Sequence, residues 1–399
     1  MISIKINKND IILWFLTIWL LVDSINGLVI RLGLSLPLSV LFKFLILCFI
    51  IIWNKKNKNI VRIFIFFLFY IILYSSVISL GDYSVGYCLN YIIKFITVLI
   101  LFYYFKILLQ NQYVNYIPEI KRIMFFSLLI LSANILMGLG GLGYSTYRED
   151  GTGFCGLFYS PNELSGVIAV LYPLSLAYVK LCHKKFFLLF SIFLLFISLL
   201  IGTKAPLITA IISVLMVSFL YGSRREKGML IILVGIVIIS GVSYIGFLLE
   251  SEISIVERFT FFMEKDGLLG ALTSGRLDMW EEAEPIFDRA PFLRKLIGMG
   301  YSQQVEMDPY DMLLFTGYSG LFVLLLLYCI LIINPLTKKN NIFSKAVFTS
   351  NILLVFLSIS SGHIAFSSMA GMYIALSNAL LYSNKLNVRN GAISCSEVC

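Results

Sequence analysis

Residues 186–221 read FFLLFSIFLLFISLLIGTKAPLITAIISVLMVSFLY, and Lys204 is the only charged side chain among them. The run lacks the apolar–polar alternation of a half-buried strand, and it has no polar face to offer water, so it reads as helix inside an apolar medium. A helix needs about 20 residues to cross a ~30 Å hydrocarbon core. The stretch is therefore too long for one span and right for two, with Gly202, Lys204 and Pro206 breaking it where a tight hairpin must turn.

The same texture extends in both directions. The 399-residue chain is 59% hydrophobic and 13% charged, with a mean hydropathy of +0.92. One soluble core cannot bury that much apolar surface. In lipid every backbone N–H and C=O must be satisfied within its own segment or in a closed barrel, and long apolar runs suit helices. Such runs occur at 11–30, 35–53, 62–80, 88–105, 123–141, 162–179, 186–201, 204–221, 229–248, 312–333, 346–361 and 364–382. They predict an all-α polytopic membrane protein with about twelve transmembrane helices, in a single integral membrane domain spanning 1–399.

Lys and Arg accumulate in the cytoplasmic loops of membrane proteins. With the N-terminus inside, the inner segments hold 20 of the 31 basic residues, and every inner loop carries at least two. Both termini are thus expected in the cytoplasm. The net charge of +9 then reads as a topology signal beside an anionic leaflet, not as a nucleic-acid site, because no basic stretch is interleaved with aromatics on a soluble module. The N-terminal run carries Asp23 and Asn26 and lacks a small-residue cleavage site, so it reads as a retained first helix. The seven cysteines are scattered without metal-ligand spacing, and no metal site is expected.

Two loops stand out: 142–161, and the longer 249–311 with short surface helices. Both are placed outside by the charge pattern. Long loops in compact membrane proteins are usually functional. In the long one, Leu277, Met279, Trp280 and Ala283 repeat at helix-like spacing, which predicts a surface helix that stops before Pro285. Three cations fall near the outer face: Arg148 in Tyr147-Arg148-Glu149-Asp150-Gly151, Lys204 in the hairpin turn, and Arg276 in Ser274-Gly275-Arg276-Leu277. A guanidinium offers paired donors to phosphate oxygens, so these groups suit a lipid-linked pyrophosphate. Two rival readings stand beside that one: Arg148 pairs with Glu149 or Asp150, and Lys204 snorkels to headgroups.

Glu306, Asp308 and Asp311 precede an apolar helix, where carboxylates are costly to desolvate, so a wet cavity is expected around them. One of them can accept the proton of a sugar hydroxyl; alternatively Asp311 is only a helix cap. His363, in Ser361-Gly362-His363 at the last outer turn, reads either as a base or phosphate donor or as a buried histidine held by backbone. Within the membrane, Asp23 is expected to form a structural ion pair with Lys43 or Lys94, the rival reading being a substrate or proton path.

Taken in order, several short motifs resemble the O-antigen ligase and O-antigen or capsule polymerase superfamily of bacterial envelope enzymes. These are Arg148 through Phe154 followed by Ser160-Pro161-Asn162-Glu163-Leu164, then Gly202-Thr203-Lys204, then Ser274-Gly275-Arg276-Leu277 with Trp280, then Gly298-Met299-Gly300-Tyr301, and finally Asp308 to Asp311 before Leu313, Gly317 and Gly320. Many ligases of this superfamily carry a histidine–asparagine pair where this chain has acidic residues, which makes it look more like the polymerase or exopolysaccharide branch. The resemblance implies a metal-independent glycosyltransferase, without cofactor, in the bacterial cytoplasmic membrane. Its substrate would be a polyprenyl-pyrophosphate-linked oligosaccharide on the outer face, and its partners membrane lipid and flippase or chain-length regulator proteins. It further implies catalytic roles for Arg148, Arg276, Asp308, Asp311 and His363, and substrate binding by Lys204, Glu306, Trp280 and Asn162. A ligase moving finished glycan to lipid A core, and a flippase or other transporter, are the rival functions.

Overall fold

The computed structural model describes residues 7–34, 36–78, 85–111, 114–147, 151, 153–228, 235, 254–273, 275–300, 305–364 and 367–386. Apart from Gly235, the apolar run at 229–248 lies outside the described residues.

The chain is built from helices: α1 (Lys8–Thr17), α2 (Trp19–Arg31), α3 (Leu38–Trp53), α4 (Lys58–Ile78), α5 (Val85–Gln110) and α6 (Ile117–Leu139). A two-stranded antiparallel hairpin follows, β1 (Tyr144–Ser145) and β2 (Phe154–Gly156). Then come α7 (Pro161–Cys182), α8 (Phe187–Ile201), α9 (Lys204–Tyr221), α10 (Ser254–Thr273), α11 (Arg276–Asp288), α12 (Phe292–Ile297), α13 (Asp308–Thr337), α14 (Ser344–Ser360) and α15 (Ser368–Leu380). Seven of these are long and apolar enough to cross a membrane, eight if the bent pair α1–α2 counts as one span, and α3 and α14 are shorter apolar helices. The all-α polytopic architecture stands. The count of twelve goes beyond what the described helices show.

The hairpin expected within 186–221 is present, α8 ending at Gly202 in the left-handed conformation (φ 74°). Three boundaries depart from expectation. The first run is bent by 46° between α1 and α2, where the buried Thr17 hydroxyl donates to the Leu13 carbonyl at 2.8 Å and so competes with the helical ladder. The surface helix α11 runs through Pro285 to Asp288; the proline removes only the bond to the Glu281 carbonyl, and both residues are exposed to solvent. Helix α13 is 30 residues long but leaves helical geometry at Gly317 (φ 65°, ψ −164°). About 20 residues suffice to cross the hydrocarbon, so the turns before Gly317 are free to belong to the loop.

Contacts between loops divide them into two sets at opposite helix ends. At one, Asn7 and Asn9 donate to the Tyr116 hydroxyl (3.2 and 3.1 Å), Tyr221 donates to the Ile342 carbonyl (2.8 Å), and Lys106 and Lys338 both lie over the Tyr382 ring (4.1 and 5.4 Å). Lys180 donates to Glu226 there and, with Ser223, holds that carboxyl at about 2, below the usual carboxylate range. At the other, Arg31 lies over Tyr144 (4.2 Å) and donates to the Phe158 carbonyl (2.9 Å), and Thr146 donates to the Ile201 carbonyl (2.7 Å). The first set holds the basic loops that the charge pattern assigns to the cytoplasm.

Helix α7 is the most enclosed of the long helices and packs against α8, α9, α14 and α15. Small residues permit this, since helices in lipid gain contact by close approach and not by expelling water. A Cβ on Gly166 would meet Ala370 and Ile364 at 2.9 Å, and one on Gly371 would meet Val98 at 2.9 Å. Polar pairs join helices elsewhere: Tyr373 donates to Ser127 (2.7 Å), and Asn351 and Asn378 bond each other (2.8 and 3.1 Å). Asp23 pairs with Lys43 at 2.5 Å, which resolves the intramembrane ion pair between the two candidate lysines. Substituting Gly166→Leu should cost about 1–3 kcal/mol by overpacking, seen as a lower melting temperature of the detergent-solubilised protein; an unchanged melting temperature would contradict the α7–α15 packing.

Candidate functional site

On the side of the second loop set, three segments distant in sequence come together. Gly275, left-handed at φ 81°, turns the chain between α10 and α11 and starts α11 at Arg276. The Arg276 guanidinium donates from Nη1 to the Thr273 carbonyl (3.0 Å) and the Ser360 carbonyl (3.5 Å), and from Nη2 to Glu306 Oε2 (3.0 Å). Its side chain is 13% exposed and that of Glu306 is 38% exposed. Arg276 Nε is buried and has no hydrogen-bond partner among the described residues. One arginine thus joins the long loop to the segment before α13 and to the end of α14.

The three carboxylates divide. Asp308 and Asp311, in the first turn of α13, are fully buried. Asp308 Oδ2 accepts from the Ser358 hydroxyl and from the Ile364 amide (3.0 Å), and Tyr328 bonds Ser358 in turn (2.6 Å). Asp311 Oδ1 accepts from the Val305 amide (2.7 Å), while its buried Oδ2 has no partner among the described residues. The cap residue of α13 is Met307, so Asp311 is not the helix cap. The wet setting expected for all three carboxylates is met only by Glu306, because backbone amides and a serine hydroxyl take the place of water at Asp308.

The turn that carries His363 meets Glu306 through the backbone of Gly362. A Cβ on Gly362 would stand 2.1 Å from the Glu306 carbonyl oxygen, so the turn can approach only as glycine, itself at φ 61°. Glu306 (φ 59°) and His363 (φ 60°) are the two non-glycine residues with positive φ among the described residues. Such conformations cost of order 1–3 kcal/mol and gather at functional sites. Here they are adjacent.

The glycines singled out in the sequence hold the loop on the broken helix. Gly298 (φ 130°) lies against the Phe315 carbonyl and Gly317 against the Lys295 carbonyl, each closer than any Cβ would allow. The Trp280 and Tyr310 rings lie 4.4 Å apart, tilted by 33°, and Trp280 packs on a small core of Ala283, Phe287, Met299, Val305, Met307 and Leu314. Outside the membrane span, Asp278 accepts from Lys265 (2.7 Å) and raises its pKa above the ordinary lysine value.

Residues 189–323, about a third of the chain, match the Wzy_C family, described as O-antigen ligase. This match supports an O-antigen ligase/Wzy-type superfamily relationship for that segment. The matched O-antigen ligase segment contains Lys204, Arg276, Trp280, Glu306, Asp308 and Asp311; Asn162 and His363 lie outside it. An O-antigen ligase- or polymerase-type function follows in general terms. No curated protein and no solved structure matches the chain.

Not every expected site residue joins the group. Arg148 lies outside the described residues. Lys204 opens α9 at a second turn, on which Thr146 and Gly153 pack: a Cβ on Gly153 would stand 2.4 Å from the Ile201 carbonyl. Asn162 is in the first turn of α7, half-buried. Among the described residues no three His, Cys, Asp or Glu side chains gather as a metal site. Sequence reasoning missed Ser358, Tyr328 and the function of Glu163. The spacing Ser160…Glu163 has the form of a helix-capping box, yet Ser160 makes no side-chain cap and Glu163 accepts from Ser367, 204 residues away, at 2.5 Å. Gly362→Ala should lower the melting temperature by the equivalent of about 1–3 kcal/mol, since it adds both strain and a clash; retention of wild-type stability would show that the turn does not sit against Glu306.

Proposed function

We propose that this chain is a polymerase that joins polyprenyl-pyrophosphate-linked oligosaccharide repeat units into O-antigen, capsule or exopolysaccharide on the outer face of the bacterial cytoplasmic membrane, both termini being cytoplasmic. The observation that carries this reading is the juxtaposition of Arg276, Glu306 and the strained His363. Glu306 holds Arg276 with a carboxylate where a donor phosphate oxygen would bind, and the buried Nε of Arg276 supplies a further donor.

In the proposed reaction the acceptor hydroxyl attacks the anomeric carbon of the donor sugar. The bond from that carbon to the pyrophosphate oxygen breaks, and the polyprenyl pyrophosphate leaves with the electron pair. Arg276, with Arg148 and Lys204, stabilises the charge that grows on the leaving group, which accelerates the step because the attraction is strongest as the group departs. Glu306, released from Arg276 by the phosphate, or His363 accepts the hydroxyl proton. Asp308 and Asp311, buried and bonded to backbone, hold the geometry. Trp280 and Asn162 bind sugar, and no metal takes part. Flippase and chain-length regulator proteins are the proposed partners.

The description of the matched family favours a second reading, a ligase that transfers finished glycan to lipid A core or another acceptor. Incubation of the purified protein with lipid-linked repeat units separates the two: a ladder of longer glycans is expected, whereas a single transfer product would establish the ligase. Arg276→Ala should reduce the ladder at least 100-fold, a loss of about 2.7 kcal/mol of transition-state stabilisation; an unaltered ladder from correctly inserted protein would remove the clamp from the mechanism. His363→Gly should abolish or strongly reduce extension while leaving the melting temperature equal or higher, because glycine relieves the left-handed strain. A fall in stability with full activity would reverse the assignment.

A further inference from the structure

The segment 361–367 between α14 and α15, described at 361–364 and 367, carries His363, and polar groups from four other elements reach these residues or Ser368, which opens α15. Asp308 of α13 accepts the Ile364 amide (3.0 Å). Glu163, in the first turn of α7, accepts the Ser367 hydroxyl (2.5 Å), and Ser367 caps α15 by accepting from the Ala370 amide (3.0 Å). Lys43 of α3 donates to the Ser368 hydroxyl (3.0 Å), and the indole of Trp19, at the start of α2, donates to the Ser368 carbonyl (3.1 Å).

Lys43 is itself held in place. Its ammonium is 2.5 Å from Asp23 Oδ1, which also accepts from Ser39 (2.6 Å), and it lies 4.9 Å from the centre of the Trp19 ring. Lys43 and Asp23 are both buried. A buried ion pair is a poor source of stability: taking each charge from water costs several kcal/mol, and well-packed apolar residues often serve as well or better. Packing alone therefore does not account for a charge pair here, when the neighbouring helices are joined by serines and asparagines. What the pair does provide is a directed donor fixed in position, aimed at the first residue of α15.

We propose that Lys43, oriented by Asp23, and Glu163 are positioning residues for the His363 turn, acting through Ser368 and Ser367. They hold the strained turn against Glu306, so that the groups proposed for proton transfer stay in register when Arg276 exchanges its carboxylate partner for phosphate. Among the described residues of the turn, Ile364 is the apolar side chain that fastens it, buried and packed at Gly166. Without the polar ties the left-handed backbone at His363 would relax toward ordinary geometry. The catalytic part of this inference rests on the transfer reading above; the structural part does not.

The test uses the full-length protein in lipid nanodiscs and two readouts. Hydrogen–deuterium exchange of the peptide covering 361–368 is compared among wild type, Ser368→Ala, Glu163→Ala and the double variant Asp23→Leu/Lys43→Met, which removes both charges together and so leaves no unpaired ion. Each lost bond should speed exchange in that peptide by about three- to ten-fold, with peptides from α8 unchanged. Ser368→Thr and Glu163→Gln, which retain a hydroxyl and an acceptor, should restore protection. Turnover on lipid-linked repeat units should show kcat reduced in the same order, with KM for the donor nearly unchanged. Unchanged exchange in Ser368→Ala and Glu163→Ala would overturn the proposal. Faster exchange with unaltered kcat would overturn its catalytic part, and failure of the wild type to extend glycan would reject the transfer reading while the exchange data still decide the positioning.

Discussion

Asp308 accepts the Ser358 hydroxyl and the Ile364 amide, and much of the site's geometry depends on this one buried carboxylate. Burying a charged oxygen is costly unless donors replace the water it gave up. The end of α14 and the turn after it must therefore come to the start of α13. Once they do, the Ser360 carbonyl is within reach of Arg276, and Gly362 is pressed on the Glu306 backbone. Arg276 then closes the circuit through Glu306. A buried carboxylate thus assembles two groups that are more exposed.

The break at Gly317 makes this arrangement compatible with a membrane. A straight 30-residue helix would run to about 45 Å, more than the hydrocarbon needs. The left-handed glycine lets the first turns leave the axis of the span and pack beneath α12, where Gly298 and Gly317 meet opposing backbone. The acidic turns can then sit among protein groups and not lipid tails, as expected for ionisable residues near a membrane core. Among the described residues the two non-glycine residues in left-handed geometry are Glu306, just before these turns, and His363, in the turn that packs on Glu306 through Gly362.

Several expectations from sequence failed or were refined for identifiable reasons. Pro285 did not end α11 because the exposed carbonyl that it leaves without a donor faces solvent. The bend between α1 and α2 falls beside Thr17, whose hydroxyl donates to the Leu13 carbonyl. Glu163 has the spacing of a local cap, yet bonds to Ser367; nothing in its neighbourhood along the chain distinguishes the two. Asp23 had two possible lysine partners, and helix packing chose Lys43.

The sequence by itself determined the class, the helical architecture and the grouping of loops into two faces, because hydropathy and Lys/Arg bias are local properties that each segment carries independently of its neighbours. It also supplied Arg276, Glu306, Asp308, Asp311 and His363 as candidates, since charges and a Gly-His turn beside apolar helices are conspicuous where burial is costly. Only the tertiary structure decided which carboxylates are enclosed and which one is accessible, and that Glu306 and His363 are neighbours. Those outcomes depend on distances between segments up to 349 residues apart, set by small-residue contacts such as Gly166 on Ala370 and Gly362 on Glu306. No local pattern encodes such distances.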